Sequence, residues 1–511
     1  MGFAKASGVL YRCLFTCHPP GAVSPNKFSI FVVHERVDLK TISQKKNRIL
    51  TLIKSISGIR GTIGGKAGDN LTPQDVVECT AAFGYWLLEN GAAPKVVIGR
   101  DGRISGPLVS QLVTSTLIGL GIDVVDLGPS TTPTVEMAVP EEKAGAGIII
   151  TASHNPANWN ALKFLNHKGE FISQADGEAL LRYLEDGNIE YAAVERLGTY
   201  QQAEGYLEYH IEKILALPYV DADAVRQQGY KVVVDCINST GALALPPLLE
   251  ALGCEAVLLN GTPNGHFAHN PEPLPQHLAE LCQMVKREQA ALGVAVDPDV
   301  DRLALVCEDG QLFGEEYTLV AVADYILQQR PGNAVSNLSS TRALRDVTRR
   351  HGGQYYASAV GEVNVVEQMK AVDAVIGGEG NGGVIVPGLH YGRDALAGLA
   401  IFLTYLASTG QPASALRSTY PNYYMVKDKA ALRPEIDVGR LLEQLEKRYK
   451  HEEYSTIDGL KIDFEHGWVH LRKSNTEPII RIYSESNSPE SAQQLAGQMK
   501  AAMEEILGQE V

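Results

Sequence analysis

Residues 147–156 read GIIITASHNP, residues 293–302 read GVAVDPDVDR and residues 373–383 read DAVIGGEGNGG. Each stretch starts with a short apolar run and continues directly into a polar or glycine-rich loop. Such a run predicts a strand that is buried on both faces, as in a parallel sheet covered by helices. Ligands of open α/β sheets bind beyond the carboxyl ends of the strands, so we expect chemistry at these three loops.

Strand-like and helix-like segments alternate outward from these stretches, beginning near residue 51. Thr72 and Pro73 predict the start of a helix that Gly91 ends. The rhythm repeats in three units of roughly 100 residues each, which suggests an internal repeat. The last part mixes helices with alternating strands. We therefore predict an α/β protein with three similar, layered, mixed-sheet domains and a smaller α+β domain at the C-terminus.

The predicted domains follow from these changes of pattern. They comprise residues 50–200 with the serine loop (151–156), 201–311 with the acidic loop (297–302), 312–415 with the glycine loop (377–383), and 416–511 with the C-terminal loop (472–478). Residues 1–49 have no such pattern, and residues 1–34 contain no Asp or Glu. We predict that residues 1–49 are a disordered extension, or that the true start of translation is near Leu50.

Composition excludes several classes of function. The net charge of −15 argues against a nucleic-acid partner, because a phosphate backbone needs a basic surface. No apolar run reaches the roughly 18 residues of a membrane-spanning helix, so we expect no membrane partner. The seven cysteines are odd in number and scattered, which favours free thiols in a reducing compartment over disulfides. The expected location is the cytoplasm.

Ser153 is the candidate nucleophile of the serine loop, with His154 beside it. A serine at the end of a buried strand can carry a phosphoryl group, which adds charge and strong acceptors. The alternative is that Ser153 caps the next helix. The serine loop taken alone leaves both interpretations open.

The acidic loop offers three alternating carboxylates, Asp297, Asp299 and Asp301, that can converge on one cation. Hard oxygen ligands suit Mg²⁺, which keeps positions free for phosphate oxygen or water. A solvated acidic turn is the alternative. A calcium loop of the EF-hand type is disfavoured, because Arg302 stands where that loop needs glycine.

The glycine loop and the C-terminal loop supply groups for sugar and phosphate. Glu379 and Asn381 offer acceptors and a donor for vicinal hydroxyls, although a flexible turn is the alternative. The C-terminal loop, RKSNTEP, combines a guanidinium, hydroxyls and an amide, which can bind a phosphate dianion or form a charged hairpin. Arg60 and the Arg100/Arg103 loop are expected to add positive charge near the cleft.

The four loops together resemble those of the α-D-phosphohexomutases, a family that includes phosphoglucomutase, phosphomannomutase and phosphoglucosamine mutase. The family motifs T-[AG]-S-H-N-P, D-x-D-x-D-R, G-E-x-S-G and R-x-S-N-T-x-P correspond to residues 151–156, 297–302, 378–382 and 472–478. The resemblance spans residues 51–511 with the motifs in order. It implies four domains around a central cleft.

The resemblance also implies roles for individual residues. Ser153 would be phosphorylated, and one Mg²⁺ per subunit would be bound by Asp297, Asp299, Asp301 and a phosphoserine oxygen. The substrate-binding residues would be Arg302, Glu379, Asn381, Arg472, Ser474, Asn475 and Thr476. Arg60 matches the family's G-I-R-G arginine, and Lys163 matches the lysine of its N-G-x-K motif.

The implied enzyme is an isomerase that interconverts hexose 6-phosphate and hexose 1-phosphate through a 1,6-bisphosphate, which can also serve as primer. Lys163 is the first candidate for the general base, with its pKa lowered by Arg60, and His154 is the second. A haloacid-dehalogenase-like phosphatase or a non-catalytic sugar-phosphate sensor are the remote alternatives. The partner is a small hexose phosphate, and the chain is expected to be a monomer or homodimer.

The glycine loop departs from the family pattern at two positions. Asn381 and Gly383 stand where the family usually has serine and histidine, which contact sugar hydroxyls. These replacements resemble the phosphoglucosamine mutase-like branch of the family. The sequence therefore favours glucosamine phosphate as the substrate, with glucose and mannose phosphates as the alternatives.

Overall fold

The computed structural model of the chain describes residues 50–55, 58–432, 436–473 and 479–508. It also describes two short strands that pair antiparallel, Lys5–Ala6 (β1) and Val9–Leu10 (β2). These strands belong to a first unit, Met1–Leu50, whereas all elements below belong to a second unit, Thr51–Val511. The prediction for residues 1–49 concerns a segment that, apart from β1 and β2, lies outside the described residues.

The first α/β domain contains a seven-stranded mixed sheet in the order β3-β4-β8-β7-β5-β6-β9. Its strands are Ile53–Ser55 (β3), Gly58–Thr62 (β4), Lys95–Arg100 (β5), Asp123–Pro129 (β6), Ala146–Ile150 (β7), Trp159–Leu165 (β8) and Tyr200–Gln202 (β9). Its helices are Pro73–Glu89 (α1), Gly106–Gly119 (α2), Thr132–Glu141 (α3) and Gln174–Asp186 (α4). Thr72 caps α1 through the backbone N–H of Asp75, as the sequence predicts.

The second α/β domain has a four-stranded sheet in the order β11-β10-β12-β13. Its strands are Lys231–Asp235 (β10), Glu255–Leu259 (β11), Leu292–Val296 (β12) and Leu303–Cys307 (β13). Its helices are Tyr206–Leu215 (α5), Ala222–Gln228 (α6), Gly241–Ala251 (α7) and Ala279–Glu288 (α8). Both β12 and β13 are buried at every residue, which explains their unbroken apolar sequences.

The third α/β domain repeats this arrangement with the sheet order β15-β14-β16-β17. Its strands are Asn333–Asn337 (β14), Tyr355–Ser358 (β15), Ala374–Glu379 (β16) and Gly383–Ile385 (β17). Its helices are Tyr317–Gln329 (α9), Ala343–Arg350 (α10), Glu362–Ala371 (α11), Ala395–Thr409 (α12) and Ala413–Ser418 (α13).

The three sheets share one topology. In each, two strands run parallel to a central strand, and the last strand returns antiparallel at the next position. The corresponding strands of the first sheet are β6-β5-β7-β8. The three-unit interpretation of the sequence is therefore confirmed at the level of the fold. The serine, acidic and glycine loops all lie where the third strand passes to the antiparallel fourth.

The C-terminal domain is smaller and has a five-stranded antiparallel sheet in the order β18-β22-β21-β20-β19. Its strands are Tyr424–Ala431 (β18), Glu453–Ser455 (β19), Leu460–Phe464 (β20), Gly467–Lys473 (β21) and Ile479–Ser486 (β22). Its helices, Val438–Arg448 (α14) and Pro489–Gly508 (α15), contribute apolar side chains to one core with the sheet. The predicted α+β domain is thus confirmed.

One hydrophobic core extends through both the second and the third domain. Helix α12 explains this continuity, because all of its first 12 residues are buried and it packs against the helices of the second domain. The predicted boundary at residue 311 therefore separates two sheets but not two cores. Within the described residues no helix is long and apolar enough to cross a membrane, and the described cysteines are free thiols.

Candidate active site

A cleft of ≈ 430 Å³ lies where the serine, acidic and glycine loops meet. The loops stand at the ends of β7, β12 and β16, so the shared topology places them in equivalent positions. The predicted site residues that line the cleft are Arg60, Ser153, His154, Lys163, Arg302 and Glu379. Three sheets that are far apart in sequence thus contribute to one site.

Ser153 is held in a left-handed backbone conformation, with φ of 47°. Its Oγ donates a hydrogen bond of 2.5 Å to Oδ2 of Asp297, and its backbone N–H donates one of 2.9 Å to Oγ1 of Thr151. A non-glycine residue in this conformation costs about 1–3 kcal/mol, so the surrounding contacts must stabilise it. They hold the hydroxyl, at 5% exposure, against the acidic loop.

The buried guanidinium of Arg103 holds the serine loop in shape. It donates hydrogen bonds to four carbonyl oxygens, those of Ser153 (2.5 Å), Asn155 (2.7 Å), Pro156 (2.6 Å) and Trp159 (3.0 Å). Its Nε also pairs with Asp101 at 2.9 Å. Arg103 thus lies beside the serine loop, near the cleft, as expected. Its donors are used within the loop, and Asp101 neutralises its charge.

The carboxylates of Asp297, Asp299 and Asp301 are fully buried and converge. Each offers an oxygen within 4.8 Å of the other two. Val300 lies between them with φ of 63°, a conformation that β-branched residues rarely adopt. This strained backbone conformation occurs where the loop turns the alternate carboxylates toward one point.

The donors of the acidic loop fit a hard cation. Oδ1 of Asp299 and Oδ1 of Asp301 are buried and have no hydrogen-bond partner among the described residues. Burial and the charges of the other two carboxylates raise the pKa of Asp297 well above its usual value. Unpartnered oxygens and mutual repulsion are what a bound cation would relieve, and an all-oxygen set suits Mg²⁺.

Lys163 supplies positive charge to the acidic loop. Its Nζ lies 2.9 Å from Oδ2 of Asp299 and 3.7 Å from Oδ2 of Asp301. Burial lowers the pKa of Lys163, but the two carboxylates outweigh burial and raise it above its usual value. The expectation that Arg60 lowers this pKa is therefore wrong in direction, because the carboxylates dominate.

His154 has a neutral imidazole in this site. Burial and the positive charges of Arg302 and Arg393 lower the pKa of His154 to about 2. Its Nδ1 lies 3.3 Å from Oγ of Ser153. Both candidates for the general base, Lys163 and His154, therefore line the same cleft as the predicted nucleophile.

The glycine loop presents Glu379 to the cleft but not Asn381. One carboxylate oxygen of Glu379 accepts hydrogen bonds from Nδ2 of Asn337 (2.8 Å) and from the backbone N–H of Gly361 (3.3 Å). Asn381 folds onto its own loop, where its Oδ1 accepts from the backbone N–H of Gly383 at 3.2 Å. The cleft lining includes Glu379 and omits Asn381, so this arrangement does not support the predicted substrate contact of Asn381.

Arg393 is a residue of the site that the sequence analysis missed. Its guanidinium contacts three buried carboxylates, those of Glu379 (2.8 Å), Asp301 (2.6 Å) and Glu362 (3.1 Å). The available signal was a charged pair, Arg393 and Asp394, placed immediately before the apolar run that forms α12. Charged residues directly before a fully apolar helix point to buried ion pairs at its start.

The C-terminal loop is described only in part. Nε of Arg472 lies 2.7 Å from Oδ2 of Asp458. Arg472 lines a separate cavity of ≈ 420 Å³. It is not one of the described residues that line the cleft of Ser153. The predicted phosphate ligands Ser474, Asn475 and Thr476 lie outside the described residues.

The phosphoglucomutase/phosphomannomutase family matches the chain in four consecutive blocks. They are its alpha/beta/alpha domain I at residues 52–188, domain II at 206–310, domain III at 314–423 and its C-terminal domain at 426–502. These blocks follow the order of the four domains described above.

Individual relatives match over most of their length. A probable phosphoglucosamine mutase of Methanopyrus kandleri is 35% identical over 443 residues, which cover 86% of this chain and 95% of that protein. A phosphoglucomutase/phosphomannomutase of Thermococcus kodakarensis is 36% identical over 445 residues, which cover 85% and 96%. The crystal structure of a phosphoglucomutase/phosphomannomutase family protein from Burkholderia thailandensis superposes with a TM-score of 0.77 at 27% identity, covering 89% and 97%.

These matches agree with the shared topology of the three sheets and with the cleft at their loops. The family match covers most of the chain, and the relatives exceed 30% identity over more than two thirds of it. The chain belongs to the phosphoglucomutase/phosphomannomutase family, and it is a phosphohexomutase, an enzyme of the isomerase class.

Proposed function

We propose that the enzyme is a Mg²⁺-dependent phosphoglucosamine mutase that works through phospho-Ser153 and a hexose 1,6-bisphosphate. The observation that carries this proposal is the contact of 2.5 Å between Oγ of Ser153 and Oδ2 of Asp297. It joins a serine hydroxyl that lines the cleft to one of three buried carboxylates that converge behind it. A phosphoryl group on this oxygen would lie beside the cation site.

The cycle transfers one phosphoryl group in each of two steps. In the first, the bond between phosphorus and Oγ of Ser153 breaks, and a bond forms to a sugar hydroxyl whose proton passes to a base. The resulting bisphosphate turns over and returns its other phosphoryl group to Oγ, while a proton returns to the departing sugar oxygen. A bound Mg²⁺ would supply electrostatic stabilisation of the transferring group. The same bisphosphate would serve as primer for an unphosphorylated chain.

Asp297, Asp299 and Asp301 would hold the cation together with an oxygen of the phosphoserine. Arg302 supports this arrangement from the cleft side, because its Nε lies 3.9 Å from carboxylate oxygens of Asp297 and Asp301. Arg302 also lines the cleft, so its guanidinium can donate to a substrate oxygen. We propose Arg302 as a phosphate contact of the bound sugar.

Lys163 and His154 are the two proposed proton carriers. Lys163 reaches the carboxylates that would hold the cation, whereas His154 lies beside the nucleophile. Replacing the true base lowers kcat by about 10²–10⁴. Comparing Lys163→Gln and His154→Gln in the same assay, with substrate binding measured separately, identifies which side chain carries the proton.

The choice of glucosamine phosphate rests on two supports. Relatives above 30% identity include proteins described as probable phosphoglucosamine mutases. Two carboxylates, Glu362 and Glu379, line the cleft and can accept hydrogen bonds from a sugar ammonium group. Another relative is described as a phosphoglucomutase/phosphomannomutase, so glucose and mannose phosphates are the second candidates.

The deciding experiment measures turnover of the 1- and 6-phosphates of glucosamine, glucose and mannose with Mg²⁺, and maps phosphate on the protein. We expect phosphate on Ser153 and a preference for glucosamine phosphate of about a hundredfold in kcat/KM, or about 2.7 kcal/mol. Ser153→Ala should fold and lose turnover. Equal rates on glucose or mannose phosphate would overturn the proposed substrate preference. Full activity of Ser153→Ala would overturn the proposed mechanism.

A further inference from the structure

A second group of side chains that could bind a metal lies away from the cleft, two of them buried and one partly buried. It consists of His210 on α5, Asp394 at the N-cap of α12, and His390 in the loop before α12. Nε2 of His210 lies 2.8 Å from Oδ2 of Asp394, and Nε2 of His390 lies 3.2 Å from the same oxygen. One potential ligand atom from each of the three side chains lies within 4.8 Å of the other two. None of the three residues lines the cleft of Ser153.

The other polar atom of each side chain is engaged elsewhere. Nδ1 of His210 lies 3.0 Å from Oγ1 of Thr134, and Nδ1 of His390 lies 3.2 Å from Oε2 of Glu136. Oδ1 of Asp394 accepts hydrogen bonds from two backbone N–H groups in the first turn of α12. A histidine that binds a metal usually contacts a carboxylate or another polar group through its second nitrogen. Because these contacts occupy the other atom of each side chain, both Nε2 atoms and Oδ2 of Asp394 are the ones that can bind a common ion.

Glu136 adds a second buried carboxylate to this cluster. Its side chain is 1% exposed, and Nδ1 of His390, 3.2 Å from its Oε2, is its ion-pair partner among the described residues. An unpaired buried charge is expensive, and two buried carboxylates, Glu136 and Asp394, lie beside the two imidazoles. The cluster therefore needs positive charge, which either a protonated histidine or a bound cation can supply.

We propose that His210, His390 and Asp394 form a second metal site, for a divalent transition-metal ion and for Zn²⁺ in the first place. Two imidazole nitrogens and one carboxylate oxygen suit Zn²⁺ and not Mg²⁺, which prefers oxygen ligands. Tetrahedral Zn²⁺ with bonds of about 2.0–2.1 Å brings its ligand atoms to about 3.3 Å from one another. The distances of 2.8 and 3.2 Å are close to that separation. Water would take the fourth position.

The position of this site links it to the active site through two short connections. Thr132, the first residue of α3, donates a hydrogen bond of 2.7 Å to Asp299, and the same helix carries Thr134 and Glu136. Asp394 directly follows Arg393, which contacts Asp301. An ion here would join α5 of the second domain to the start of α12 in the third, and its outer partners Thr134 and Glu136 belong to the first domain. The proposed role of this site is to fix the position of the acidic loop through these two connections, whether or not substrate is bound.

The test uses the full chain, stripped of metal with a chelator and then titrated with Zn²⁺ in the presence of saturating Mg²⁺. We expect one tightly bound Zn²⁺ per chain by elemental analysis, together with a rise in Tm. His210→Gln and His390→Gln should weaken Zn²⁺ binding by at least about a hundredfold, and Glu136→Gln by about ten- to a hundredfold.

Two control variants separate this site from others. Asp297→Asn removes a carboxylate of the acidic loop and should keep the bound Zn²⁺. His351→Gln changes another imidazole that contacts a buried carboxylate, Asp324, at 2.7 Å, and it should also leave Zn²⁺ binding unchanged. Loss of Zn²⁺ in Asp297→Asn but not in His390→Gln would place the ion in the acidic loop and overturn the proposal.

The wild-type chain decides the question if the histidine variants do not fold. Co²⁺ added to the stripped protein should give the visible absorption of a four-coordinate site at one equivalent, and Zn²⁺ should abolish it. If neither ion binds at micromolar concentration, the proposal fails. A protonated histidine would then supply the positive charge of the cluster.

Discussion

Arg393 donates a hydrogen bond of 2.6 Å to Oδ2 of Asp301, and this contact joins the loop before α12 to the acidic loop. The same guanidinium contacts Glu379 of the glycine loop and Glu362 at the start of α11. One side chain therefore sets the position of a proposed metal ligand relative to the proposed sugar ligand. The planar fork of arginine permits this, because it donates in several fixed directions at once.

Replacing Arg393 by lysine should separate the effect of its charge on activity from the effect of its geometry. Arg393→Lys keeps the positive charge, but one ammonium cannot hold three carboxylates in place. We expect kcat/KM to fall about a hundredfold, or about 2.7 kcal/mol, with the fold retained by circular dichroism. The control is Arg350→Lys, because Arg350 pairs with Asp324 at 2.6 Å but is half exposed. Activity of Arg393→Lys within threefold of wild type would contradict the role of its geometry.

The sequence predicted those parts of the site that depend on local pattern. Ser153, Asp297 and Glu379 each follow or end an apolar strand, and a buried strand directs the loop after it to the same edge of its sheet. The fold followed for the same reason, since three repeats of one strand-and-helix rhythm gave three sheets of one topology. Local sequence pattern was sufficient to predict the position of a residue wherever that residue lies at the end of its own strand.

Contacts between distant segments could not be predicted in this way. Arg393 and Asp301 are 92 positions apart, and nothing near either residue indicates the other. Arg103 has a basic side chain in a polar loop, yet its surroundings bury it completely. The pKa of Lys163 moved opposite to expectation because Asp299 and Asp301 of another domain lie beside its Nζ. Each of these depends on three-dimensional packing.

Mg²⁺ should stabilise the protein through the acidic loop. A ligand that binds only the folded state adds about 2.7 kcal/mol at about 100 times its Kd. We therefore expect Mg²⁺ to raise the Tm of the wild type, as measured by calorimetry. Asp297→Asn should lose this rise, while its metal-free form is at least as stable as the wild type because one repelling charge is gone. Asp309→Asn changes an exposed carboxylate and serves as the control. An unchanged Mg²⁺ response in Asp297→Asn would refute the assignment.

The serine loop should depend on Arg103 more than on its neighbour Arg100. Arg103→Lys leaves several carbonyl oxygens of the loop without a donor, and each buried unsatisfied group costs about 1–3 kcal/mol. We expect a lower free energy of unfolding by about 3–5 kcal/mol and a matching loss of kcat, measured by urea unfolding and steady-state assay. Arg100→Lys is the matched control, because the side-chain hydrogen bond of Arg100 to the carbonyl of Asp101 is long, at 3.4 Å, and therefore weak. Equal effects of the two variants would contradict this account.

The pair of His269 and Asp235 should make the stability of the second domain depend on pH. Nε2 of His269 lies 2.9 Å from Oδ2 of Asp235. Burial lowers the pKa of His269, but this carboxylate outweighs burial and raises it above the usual value.

Because the folded pKa exceeds the unfolded value of about 6.5, the stabilisation is complete below that pH and is lost as pH rises through the folded pKa. The Tm difference between wild type and His269→Gln should therefore be larger at about pH 6 than at about pH 9. Asp235→Asn removes the other partner and should show the same trend. A difference that is equal at both pH values would mean that the imidazole acts only as a neutral hydrogen-bonding group.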